Sequence, residues 1–151
     1  MAEADHGPIE PGPARYEFLL RLDEELLLGG AMFSEWCTLI VRECDLAFVA
    51  GADLATIITA TAGIETYLRA EYGSAKRLTF AELISRAPIA SQLAEDMHKL
   101  RRYRNGWVHI ANPEDDSKAS IDDPAIDEEL ATWAVFAQRV LRRTLYENQW
   151  I

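Results

Sequence analysis

The run Asp53-Leu54-Ala55-Thr56-Ile57-Ile58-Thr59-Ala60-Thr61-Ala62-Gly63-Ile64-Glu65-Thr66-Tyr67-Leu68-Arg69-Ala70-Glu71-Tyr72, closed by Gly73, decides the fold class. Its positions Leu54, Ile57, Ile58, Thr61, Ile64, Leu68 and Tyr72 recur at three and four, which is the period of one helix face and not the alternation of a strand. Asp53 offers an N-cap oxygen and Gly73 a stop. Working backward, Phe33, Trp36, Cys37, Ile40, Cys44, Ala47 and Phe48 keep the same spacing and predict a helix over 31–50 that ends at Gly51. Before it, the Leu-rich segment 14–28 stops at Gly29-Gly30, a helix and its stop signal. Residues 1–13 hold Pro8, Pro11 and Pro13 with Gly7 and Gly12, and are expected to be a disordered tail outside the fold.

Working forward, Thr79 and Glu82 have the form of a capping box that opens a short helix to Arg86, before Pro88. A longer helix is expected from Ile89 to Ala111, with Leu93, Met97, Leu100, Arg104 and Trp107 on one stripe and Asn112-Pro113 as its breaker. Asp123-Pro124 supplies an N-cap and a first-turn proline for a final helix carrying Ile126, Leu130, Trp133, Ala137, Val140, Leu141 and Leu145. Only Trp107-Val108-His109-Ile110 resembles a strand, and it is too short to build a sheet. The expectation is an all-α antiparallel bundle of five or six helices, one domain over 14–151.

Composition agrees with one globular domain: 151 residues, 49% hydrophobic and 26% charged, enough for a core that requires neither metal nor disulfide. No apolar run approaches the roughly 18 residues of a membrane span, and the start Met1-Ala2-Glu3-Ala4-Asp5 is acidic where a signal peptide is basic. The cytoplasm is the expected address. Cys37 and Cys44 lie seven apart on one helix, about 10 Å along the axis, too far for a disulfide.

The net charge of -10 is uneven. Residues 1–13 contribute -3 and residues 111–129 contribute -7, leaving 14 basic against 14 acidic residues elsewhere. Two stretches within the balanced part are basic: 98–104, and Arg139 with Arg142 and Arg143. A local polyanion site is therefore compatible with the acidity, whereas broad nucleic-acid coating is not.

Phosphate-cradling glycine loops, nucleophile elbows, zinc-protease pairs and calcium loops are all absent from the sequence. What remains is Leu100-Arg101-Arg102-Tyr103-Arg104-Asn105-Gly106-Trp107-Val108-His109. Arg104-Asn105-Gly106-Trp107-Val108-His109 resembles the signature of the HEPN family of small helical bundles: Arg, a polar residue, three further residues, then His. Its place late in an all-α chain, before a variable loop and a long last helix, matches the family pattern. The segment Ile64-Glu65-Thr66-Tyr67-Leu68-Arg69 is similar to the family's second core helix, and the resemblance spans 31–149. One departure is Ala111, where a toxin branch of the family carries a modifiable Tyr.

The resemblance implies a metal-independent endoribonuclease acting through the RNA 2′-hydroxyl, as a toxin or antiviral defence effector, with no metal and no cofactor. It implies His109 as acid/base, Arg104 on the phosphate and Asn105 orienting. Arg101, Arg102 and Lys99 are the candidate substrate-binding residues. The chemistry fits: His titrates near neutrality, and Arg presents a planar fork to phosphate oxygens. One such His per chain is one proton carrier short, and a homodimer with a composite site supplies it twice; the partners are RNA, a second copy, and an antitoxin or regulatory protein. The alternative is a non-catalytic homodimer of the same fold that binds a nucleotide, RNA or a partner protein.

Geometry adds a constraint. Positions five apart on a helix point about 140° apart, so Arg104 and His109 do not share a face. Arg104 falls on the apolar stripe, where a charge requires a partner such as Glu65, an interface or a distorted helix. His109 shares its face with Arg102 and Asn105, Gly106 permits a bend or a close approach, and His98 is assigned to the surface.

Overall fold

The computed structural model describes residues 7–74, 77–109 and 122–151. Among these there are six helices: α1 Pro13–Leu26, α2 Glu35–Ala50, α3 Asp53–Tyr72, α4 Phe80–Arg86, α5 Ser91–Val108 and α6 Pro124–Leu145. The only bridge between extended residues among them joins Gly30 to Trp150. Helix α3 is the hub, packed against α2 on one side and α6 on the other. Ile57, Ile64 and Leu68 of α3 are fully buried, each contributing about 1.5–3 kcal/mol of apolar transfer. They meet Cys44 and Phe48 of α2, Val140 and Leu141 of α6, and Leu93, Met97 and Leu100 of α5 in one core.

The chain neighbours α2–α3 and α5–α6 run antiparallel. Cys44 of α2 lies against Thr56 and Ile40 against Gly63, so α2 and α3 run in opposite directions. The α5–α6 pair does the same, with Asp96 beside Arg143 and Tyr103 beside Trp133. Helices α3 and α6 are distant in sequence and run the same way, with Gly63 against Leu141 and Tyr72 bonded to Asn148.

Several expected boundaries are corrected. The tail does not reach residue 13: Pro13 opens α1, Gly12 N–H donates to Val49 O at 2.8 Å, and Ile9 packs on the core. The anchor is Arg15, only 1% exposed, which donates to Ile9 O and Phe48 O at 2.8 Å and pairs with Asp53. That pairing also explains why Ala52, and not Asp53, is the N-cap of α3. Helix α1 ends at Leu26, before the glycines, because Gly29-Gly30 seats the C-terminal residues instead. A Cβ on Gly29 would lie 1.9 Å from Trp150 O, and Gly30 exchanges two backbone hydrogen bonds with Trp150 at 2.7 and 2.9 Å.

Helix α2 begins at Glu35, not 31, because Ser34 Oγ accepts the Cys37 N–H and ends the loop there. Helix α5 starts at Ser91, not Ile89, and the expected end at Ala111 lies outside the described residues, as do residues 1–6 and 110–121 of the tail and acidic stretch. The capping box of α4, the Asp123 cap of α6 and the left-handed Gly51 after α2 are as expected. No helix among the described residues is long and apolar enough to cross a membrane.

Candidate functional site

Of the two basic stretches, the one on α6 is turned inward. Arg142 is 4% exposed and donates to Asp23 at 3.0 Å and Asp45 at 2.9 Å. Burial opposes its charge, but the hydrogen bond to Asp45 and the charges of Asp45 and Asp23 outweigh that and raise its pKa above the ordinary arginine value. Arg143 pairs with Asp96 at 2.6 Å. The stretch on α5 differs: among the described residues Arg101, Arg102 and Arg104 have no carboxylate partner within salt-bridge distance.

Helix α5 uses its faces for different tasks. Leu93, Met97 and Leu100 enter the core. The next face meets α6, where the Tyr103 ring stacks on Trp133 with centroids 4.1 Å apart and planes 8° from parallel. Tyr103 Oη donates to Glu129 at 3.0 Å. Burial pushes the Tyr103 hydroxyl up to about 12; the hydrogen bond with Trp107 opposes it and Glu129 adds to it, so this phenol stays protonated at neutral pH. Lys99 Nζ lies 5.6 Å from the Phe136 ring on the α6 side. Two positions from Arg101 is about 160° around the helix, so Lys99 is turned away from Arg101, while Arg102, three positions on, is its neighbour.

The polar anomaly of the fold lies on the remaining face, with His98, Arg101 and Asn105, and at the end of the core stripe, with Arg104. Among the described residues, the buried side-chain N and O atoms lacking a hydrogen-bond partner are His98 Nδ1, Arg101 Nε, Arg104 Nε and Asn105 Oδ1. All four belong to α5 within a span of eight positions. A buried polar atom left unsatisfied costs about 1–3 kcal/mol, and such groups are otherwise rare in folded chains. Arg104 sits where the apolar stripe places it, and α5 continues as regular helix through Val108, so no distortion accommodates it. Glu65 does not pair with it either, because Glu65 takes Arg69 at 2.9 Å.

His109 closes α5 as its C-cap. Its backbone has left the helix (φ -122°, ψ 72°), its N–H donates to Asn105 O at 2.9 Å, and its side chain is exposed. No hydrogen bond among the described residues joins it to Arg104. Arg102 is exposed on the same face. A Cβ at Gly106 would meet nothing within 4 Å, so packing inside the chain does not demand glycine there and the backbone is open to close approach.

The sequence reading missed His98, assigned to the surface although its Nδ1 is shielded from solvent. Its spacing to Arg101 and Asn105, three and seven positions, is the signal that places it on the same face. Two open hollows lie elsewhere: about 490 Å³ bounded by Trp36, Glu65 and Arg69 among others, and about 360 Å³ beside Glu128, Glu129 and Trp133. Neither hollow is lined by Arg101, Arg104, Asn105 or His109. In comparisons with known proteins, the chain matches no family model, no curated protein and no solved structure.

Proposed function

We propose that this chain is a HEPN-like, metal-independent endoribonuclease of the cytoplasm, a toxin or defence effector that cleaves RNA through its own 2′-hydroxyl. The observation that supports this reading is that three arginines within four positions of α5, Arg101, Arg102 and Arg104, have no carboxylate partner among the described residues. Guanidinium groups without an internal acid are suited to an external anion, and phosphate oxygens match their fork. In the proposed reaction the 2′-oxygen attacks phosphorus and the bond to the 5′-oxygen breaks. The products are a 2′,3′-cyclic phosphate and a 5′-hydroxyl. The 2′-hydroxyl proton goes to one His109 and the leaving oxygen takes a proton from the His109 of a second copy. Arg104 stabilises the pentavalent phosphate, Asn105 orients it, and Arg101, Arg102 and Lys99 hold the strand.

The second reading is a non-catalytic homodimer that binds a nucleotide, RNA or a partner protein. It is favoured by one feature, the exposed His109 side chain that makes no hydrogen bond with Arg104. The deciding experiment incubates labelled mixed-sequence RNA in EDTA with wild type and with His109→Ala, and maps the ends. The expected result is cyclic-phosphate ends with wild type and a loss of about 100-fold or more in the variant. Cleavage that requires added metal, or equal cleavage by both proteins, would sink the ribonuclease mechanism. Binding without cleavage by both selects the second reading.

A further inference from the structure

His98 is not explained by the residues assigned above. It lies eleven positions before His109, about 16 Å along the helix axis, so one phosphate cannot touch both imidazoles across hydrogen bonds of about 3 Å. Yet His98 Nδ1 is shielded and unpartnered in the same way as Arg101 Nε, three positions on. Their side chains are neighbours on one helix face, and Asn105 continues that face toward His109. Those two atoms are closed to an external ligand, but His98 Nε2 and the terminal nitrogens of Arg101 are not shielded, and no hydrogen bond or ion pair among the described residues occupies them.

We infer that His98 and Arg101 form a second anion subsite on α5, which holds a phosphate of the same RNA strand one or two nucleotides from the one at Arg104 and His109. The inference rests on the ribonuclease reading for the strand, but not for the anion. Arg101 supplies permanent charge and His98 a ring nitrogen that becomes a donor when protonated. Burial first, then the charges of Arg101 and Arg102, keep the His98 pKa below its ordinary value. An anion placed between them offsets those charges and draws a proton onto the ring. The α5 face then acts as a track for several consecutive phosphates, and specificity for chain length follows from its length.

The test uses the full chain and two probes. In wild type, inorganic phosphate is titrated while the His98 ring is followed by NMR, its signal assigned with His98→Gln among the three histidines. The expected result is a rise of about one unit in the His98 midpoint. Separately, a short 2′-O-methyl RNA, which cannot be cleaved, is bound by wild type, His98→Gln and Arg101→Gln over a range of salt. Each variant is expected to lose about tenfold in affinity, with the salt slope smaller by about 0.7. A His98 midpoint indifferent to phosphate, with unchanged affinity and slope in both variants, overturns the subsite even if wild type cleaves RNA. A phosphate-dependent midpoint without RNA cleavage in EDTA leaves the subsite standing and overturns the ribonuclease reading.

Discussion

At the scale of single residues, the same residue type carries opposite roles according to what surrounds it. Arg142 and Arg15 are buried with carboxylates and hold helices together. Arg104 is shielded at Nε with no partner among the described residues. His98 gives the clearest residue-scale prediction. Its folded-state pKa lies below the unfolded value of 6.5, because burial and two arginines disfavour the imidazolium. The folded state therefore binds fewer protons than the unfolded chain as pH falls below 6.5. The stability tied to neutral His98 is present above that pH and is lost as pH drops through the folded value. Urea unfolding of wild type and His98→Gln is expected to converge toward, or cross in favour of, the variant on acidification from pH 7 to 5, and a difference constant with pH would contradict this.

At the scale of elements, helix boundaries follow from side-chain chemistry where it is local. Thr79 Oγ1 accepts the Glu82 N–H at 3.2 Å and Glu82 Oε2 accepts the Thr79 N–H at 2.8 Å, so the seven-residue α4 starts where its sequence says. Thr79→Ala is expected to cost about 1 kcal/mol, read as a lowered urea midpoint with an unchanged slope; no change would mean that packing of Phe80 and Leu83 alone sets the start. Boundaries missed in the sequence have tertiary causes. Asp53 has the right chemistry for a cap, but Arg15, 38 positions away, takes its carboxylate. Gly29-Gly30 has the right chemistry for a helix stop, but the closeness of Trp150 is what leaves no room for a side chain.

At the scale of the whole molecule, one guanidinium ties three helices. Arg142 of α6 reaches Asp23 of α1 and Asp45 of α2, and Tyr146 donates to the same Asp23 at 2.6 Å. Removing it leaves two half-buried carboxylates without their counter-charge inside the bundle. Arg142→Ala is expected to destabilise the fold by about 3 kcal/mol, measured by denaturant unfolding. A loss below about 1 kcal/mol would place the cohesion of α1, α2 and α6 in the apolar contacts alone. Arg101, Arg102 and Arg104 of α5 take no part in this network.

The sequence by itself determined the helical class and five or six helices, with ends placed to within a few residues, and it singled out the α5 stretch as the candidate. Apolar periodicity, caps and glycine stops act over one or two turns, and such signals are complete within the segment that bears them. Tertiary structure alone decided which arginines have partners. Arg142 and Arg104 look alike in sequence, each in a short basic stretch of a helix, and only the approach of Asp23 and Asp45 to the one and of no described acid to the other tells them apart. Charge pairing depends on distances between segments far apart in the chain, and those distances exist only once α3 has gathered the other helices around it.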